Sequence, residues 1–220
     1  MFPLSDVIPS RTRPVVTISL IAINALVFLY QFQLDELSLQ RLVFEFGVIP
    51  ARLSYGDVVS SMFLHGDILH FVGNMVFLWI FGDNVEDRLG HAGYLLFYLA
   101  SGAVAAMTQV FADPGSFVPM IGASGAVAGI MGAYFLIYPH SRILTVVFFV
   151  LFLDIIEIPA IFFLGVWFLL QVFHGAMSGG AGGGGVAFWA HAGGFAAGAM
   201  VGLYARARDR AGQDYWSNVP

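Results

Sequence analysis

Four polar side chains carry whatever chemistry this 220-residue sequence performs: His70, Asn74, Ser124 and His191. Each falls within or at the edge of a long apolar stretch, where a strongly polar group is costly and therefore carries a functional expectation. A serine can attack a carbonyl, and a histidine can take its proton and return it to the leaving amine. Histidine and asparagine side chains can also donate to the oxyanion that develops on attack. His70 and Asn74 are four residues apart and share one helical face. Ser124 follows the turn Ile121-Gly122-Ala123, so its N–H begins a helix without an intrahelical acceptor and can point at an anion. The residues thus predict Ser124 as nucleophile and His191 as general base, with Ser124 N–H, His70 and Asn74 as oxyanion donors. No Asp or Glu lies at the same depth to orient His191, which predicts a dyad whose imidazole is held by packing. Each residue alone has a blander reading: a serine bonded to its own helix, a histidine or asparagine bridging two helices. The functional reading rests on the set.

The elements that must position this set are membrane helices. Hydrophobic residues make up 59% of the chain and charged ones 10%, far below the roughly 25% charged content of soluble domains. A helix crosses the bilayer with about 20 apolar residues. Stretches of this kind run from Pro14 to Gln33, Val58 to Phe81, Ala92 to Phe111, Ser124 to Tyr138, Pro159 to Phe173 and Phe188 to Tyr204. The run Ile143 to Ile156, closed by Glu157 and Pro159, reads as an interfacial or re-entrant segment. The fold class expected is an all-α integral membrane protein of six transmembrane helices. Its membrane domain would cover 14–205, between an N-terminal segment 1–13 and a C-terminal tail 206–220. All nine basic residues are arginines, and seven fall on the side shared by both termini, which predicts cytoplasmic termini. The arginines form no cluster, so nucleic acid is not an expected partner. The absence of cysteine excludes a thiolate nucleophile and a disulfide framework.

Counting from the expected cytoplasmic ends, His70, Ser124 and His191 stand roughly 20 Å above the inner boundary, at 1.5 Å per residue. Three separate helices therefore place polar groups at one height. Gly122, Gly125, Gly129 and Gly132 surround and follow Ser124, while Gly194, Gly198 and Gly202 repeat every four residues after His191. Such spacing lets two membrane helices approach closely. Water must also reach this level, and a short fourth span would leave Ser124 at the floor of a cavity wetted by His65, Asp67 and the glycine-rich stretch Gly179 to Gly185.

These residues resemble the rhomboid family of intramembrane serine proteases. Gly122-Ala123-Ser124-Gly125 is similar to that family's Gly-x-Ser-Gly motif. His65 with His70 and Asn74 resembles its second-span pattern, and Ala190-His191-Ala192-Gly193-Gly194 with Gly198 resembles its last-span motif. Val85-Glu86-Asp87-Arg88-Leu89-Gly90 looks like the turn after its second span, which makes Glu86 and Arg88 motif residues. The likeness runs from about Val43 to Tyr204. It implies a six-span core, a Ser124–His191 dyad, an oxyanion site from Ser124 N–H, His70 and Asn74, and single-pass membrane proteins as substrates. It implies no cofactor or metal, and residence in a prokaryotic plasma membrane. Many relatives carry Trp-Arg in the first external loop, where this chain has Ala51-Arg52.

Three rival readings follow from the same residues. A catalytically inactive relative would bind or escort membrane clients. A metalloprotease could be imagined from His65, Asp67, His70 and His191, but His-Glu-x-x-His is absent. A transporter would show an internal duplication, and none is visible.

Overall fold

The computed structural model describes residues 2–149, 152–178 and 186–211. Six long helices correspond one to one with the six expected spans: α1 (Val15–Gln31), α4 (Ile68–Leu89), α5 (His91–Ala112), α6 (Ser124–Ile137), α7 (Ala160–Met177) and α8 (Phe188–Ala211). Helices α4, α5 and α7 are long and apolar enough to cross a bilayer, and α1 and α6 are apolar but shorter. Two further helices, α2 (Glu36–Phe46) and α3 (Tyr55–Ser60), lie in the connection between α1 and α4. The expected glycine-rich connection 179–185 and the end of the C-terminal tail, 212–220, lie outside the described residues.

The second span begins ten residues later than the hydropathy suggested. Residues 58–67 form the end of α3, a 3-10 turn and an extended link, and α4 starts only at Ile68. The cause is a cap. The Asp67 carboxylate accepts from the backbone N–H groups of Leu69 and His70 at 2.8 and 2.9 Å, which satisfies two of the free donors at a helix start. The new boundary puts His70 in the first turn of α4, at the end of the bundle where α6 and α8 also begin.

Buried faces of α4, α5, α6 and α8 form the core, with Leu78, Phe81, Tyr94, Tyr98, Ile130 and Tyr134 fully enclosed. Helices α6 and α8 meet along their glycines. At Gly198 an added Cβ would run into the Gly129 carbonyl oxygen, and at Gly194 into that of Gly125. The α6–α8 seam is therefore backbone against backbone, and Gly125 also meets Ala105 of α5.

At the end of the bundle opposite Ser124, the motif Glu86 and Arg88 tie helices together. Glu86 is 1% exposed. Its carboxylate accepts from Val16 N, Thr17 N and the Thr17 hydroxyl at 2.9, 2.8 and 2.7 Å, capping α1 from outside it. His91 Nδ1 lies 2.6 Å from the same carboxylate, on a ring that is itself half exposed at the start of α5. Arg88 donates to the Ala205 carbonyl of α8 at 3.3 Å. Glu86→Ala should cost about 3–5 kcal/mol, because it strands buried donors as well as removing the charge. Denaturant titration in detergent micelles measures this, and wild-type stability in the variant would refute the capping role.

The run expected to be interfacial or re-entrant forms two antiparallel strands, β2 (Arg142–Phe149) and β3 (Phe152–Pro159). It is completed by β1 (Phe2–Asp6), which pairs antiparallel with β2 to give the order β1-β2-β3. The bundle is all-α, and this sheet is the one departure among the described residues. The enrichment of Ile, Val and Phe in this run favours strand. Its partner strand, however, lies some 140 residues away in the sequence, and no local pattern shows that.

Asp6 of β1 anchors the sheet by accepting from the Tyr134 hydroxyl of α6 at 2.5 Å. The following residues hold to α4: Ser10 bonds Asp83, and Arg11 N and Thr12 N donate to Asp87 at 2.6 and 2.9 Å. Burial pushes the Asp6 carboxyl up to about 6; the Tyr134 hydrogen bond opposes this and the Asp83 charge adds to it. A folded pKa above the unfolded 3.8 means that the neutral acid fits the fold better. Its contribution is complete below about 4 and is lost as pH rises through about 6. Thermal unfolding should therefore show stability falling over this window relative to Asp6→Asn, whose neutral side chain does not titrate. Parallel pH profiles for the two proteins would refute it.

Candidate active site

The four residues singled out from the sequence line one cavity of about 670 Å³, together with Trp167 of α7 and Phe77, Gln109 and Met131. All four stand near helix N-termini: His70 and Asn74 in the first two turns of α4, Ser124 as the first residue of α6, and His191 in the first turn of α8. Ser124 Oγ and His191 Nε2 are 2.8 Å apart, a hydrogen bond across two helices. The seam explains how they reach each other. Gly194 and Gly125 touch within one turn of the pair, so the starts of α6 and α8 are held at backbone contact distance.

Gly122 shapes the approach to Ser124. Its φ is 122°, in the region that disfavours any side chain. Its N–H donates to Ser61 O at 2.8 Å, fixing the turn. A Cβ here would stand 2.6 Å from His70 Nε2, so glycine also makes room for that imidazole. His70 Nδ1 faces Gly66 N–H at 3.5 Å, which leaves Nε2 as the donor directed at the space in front of Ser124. One turn along, Asn74 Nδ2 is buried with no partner among the described residues. Two side-chain donors and the free N–H groups that open α6 thus converge on one volume beside the Ser124 hydroxyl. Such convergence suits a developing oxyanion. Asp67, Asp113 and Ser116 line the cavity further out and make its mouth polar.

Two expectations need correction. His65 does not wet the cavity: it is 1% exposed and packs edge-on against Phe28, Phe71 and the His70 ring. Its backbone is clamped by Gln31, whose amide donates to His65 O at 3.1 Å and accepts from His65 N at 3.0 Å. The second correction concerns what holds the His191 ring. Packing contributes, through Trp167 at 5.7 Å between ring centroids, but His191 Nδ1 is also 2.8 Å from Gln171 Oε1 of α7. No carboxylate stands at this position; the acceptor is an amide. The available signal was that Gln171 is the only amide side chain in a helix that is otherwise apolar except for His174 in its last turn. In the first connection, Arg52 of the Ala51-Arg52 pair donates to the Phe44 carbonyl at 3.1 Å and so braces α2.

Apolar helices of spanning length, with a cavity of polar side chains between them, define a multi-pass integral membrane protein. Residues 53–208 match the family model of the Rhomboid domain, and the chain belongs to the rhomboid family. Among its relatives, the mitochondrial rhomboid protein 1 of Saccharomyces cerevisiae is 29% identical over 136 residues, 59% of this chain and 38% of that protein. A candidate rhomboid protease of Bacillus subtilis, YdcA, is 29% identical over 127 residues, 56% of this chain and 62% of that protein. The mitochondrial presenilin-associated rhomboid-like protein of Mus musculus is 30% identical over 129 residues, 56% of this chain and 33% of that protein. The alignments therefore span less than two thirds of each relative's length.

Proposed function

We propose that this chain is an intramembrane serine endopeptidase, hydrolysing peptide bonds in or near the transmembrane segments of single-pass membrane proteins. The observation that carries this reading is the 2.8 Å bond between Ser124 Oγ and His191 Nε2, two residues that line one cavity with polar groups. His191 Nε2 takes the hydroxyl proton as Ser124 attacks the scissile carbonyl. The oxyanion is received by the Ser124 N–H, His70 Nε2 and Asn74 Nδ2. His191 then hands its proton to the leaving amine, and water admitted through the polar mouth releases the acyl group by the reverse sequence. A substrate helix must unwind to present a carbonyl to Ser124, which favours segments rich in small or helix-breaking residues. The arginine distribution supports cytoplasmic termini, with the cavity opening toward the opposite side. The location proposed, from the resemblance alone, is a prokaryotic plasma membrane. The yeast and mouse relatives are named as mitochondrial, so membrane residence is common to both and the compartment is the part to be tested.

The test is cleavage of a model single-span substrate by purified protein in detergent, with and without a metal chelator and with Ser124→Ala beside the wild type. Cleavage by wild type alone, insensitive to chelator, is the expected result. Absence of cleavage together with no labelling by a serine-reactive probe would favour an inactive relative that binds membrane clients.

A further inference from the structure

We propose that Gln171 is a positioning residue for His191: its side-chain carbonyl accepts the Nδ1–H and so keeps the Nε2 lone pair facing Ser124. The inference rests on the Ser124–His191 reading and adds to it the group that selects the imidazole's working form. A neutral imidazole carries one ring proton, and only one of its tautomers can serve as base toward Ser124. With Nε2 committed to the Ser124 hydroxyl at 2.8 Å, the proton must sit on Nδ1. There it meets Gln171 Oε1, also at 2.8 Å. The bond fixes the tautomer and the rotation of the ring about its own axis.

The rest of the surroundings are consistent with this role. Trp167, one turn earlier on the same face of α7, lies across the imidazole with planes inclined by 36°. Helix α7 thus supplies both the hydrogen-bond acceptor and the packing surface. The titratable groups that share the cavity with His191 are His70 on α4, Asp67 at its cap and Asp113 after α5; α6 and α7 bring none to it. Gln171 is neutral, so it orients the imidazole without adding a charge that would trap the imidazolium. A carboxylate in its place would do both. Helix α7 itself buries only Ala160, Leu164 and Gly175, so the tautomer of His191 depends on the seating of a lightly packed helix.

The experiment compares wild type, Gln171→Leu and Gln171→Glu by kcat, KM and pH profile, with ¹⁵N spectra of histidine-labelled protein assigned through His191→Ala. Gln171→Leu should lower kcat on the order of 10²-fold, the lower end of what a general base contributes, with KM within about twofold of wild type. Its His191 nitrogens should move from the Nδ1–H pattern toward a mixture of tautomers. Gln171→Glu should recover most of the activity with the acid limb of the profile displaced to higher pH, because a carboxylate beside the ring favours its protonated form. A purely structural role for Gln171 would give Gln171→Glu no such displacement. Wild-type kcat and an unchanged His191 tautomer in Gln171→Leu would overturn the proposal. The spectra need no turnover, so they decide the role of Gln171 even if Ser124→Ala proved as active as wild type and removed the proteolytic reading. Should Gln171→Leu not fold, Gln171→Glu and the wild-type tautomer decide.

Discussion

Ser124→Ala should abolish cleavage, lowering the rate on the order of 10⁴- to 10⁶-fold, the usual scale for removing a nucleophile that works as a unit with its base. The serine is the first residue of α6, and its side chain faces a cavity. Alanine is a good helix former and adds no bulk, so the fold should be untouched. The thermal midpoint in detergent should match that of wild type, and covalent labelling by a serine-reactive probe should disappear with the activity. Equal cleavage by the two proteins would remove Ser124 as nucleophile and with it the proposed function. His191→Ala should behave in the same way, because the two side chains share one hydrogen bond.

The second large effect is expected far from any reacting atom. Gly198→Val places a branched side chain where even a single Cβ would run into the Gly129 carbonyl oxygen. That obstacle is backbone, not a rotamer that can swing away. Helices α6 and α8 must therefore separate, at a cost beyond the ~1–3 kcal/mol of ordinary overpacking. Separation here also pulls His191 from Ser124, which sit at the top of the same seam. A fall in kcat of more than about 10²-fold is expected, since displacements near 1 Å already cost that much, along with a lower unfolding midpoint. Gly93→Ala, which meets only Leu89 Cβ at 3.7 Å, is the control and should be neutral or slightly stabilising. Retention of activity by Gly198→Val would mean that the seam does not set the Ser124–His191 distance.

The class of molecule and the identity of the polar set follow from local properties of the chain. A chain so poor in charge cannot cover itself in water. A hydropathy run needs no partner to be recognised, because a membrane helix satisfies its own backbone hydrogen bonds. For the same reason His70, Asn74, Ser124 and His191 stand out against apolar surroundings, and residue counting puts His70, Ser124 and His191 near one level. The glycines after Ser124 and His191 could be read as a packing seam because helical spacing is a local property.

Features that depend on a partner distant in the chain come instead from the packing of the folded molecule. Span two starts at Ile68 because Asp67 folds back as a cap, whereas hydropathy continues smoothly through Val58 to Phe63. Strands β2 and β3 gain a third strand because residues 2–6 come to lie beside β2. His65 turns out to be enclosed by Phe28 and Phe71, although its sequence position resembles that of His70. Gln171 meets His191 across twenty residues that include the glycine-rich connection. A hydrogen bond needs distance and direction within a few tenths of an ångström, and sequence spacing fixes these only inside one helix. Between helices they are set by the packing of whole faces.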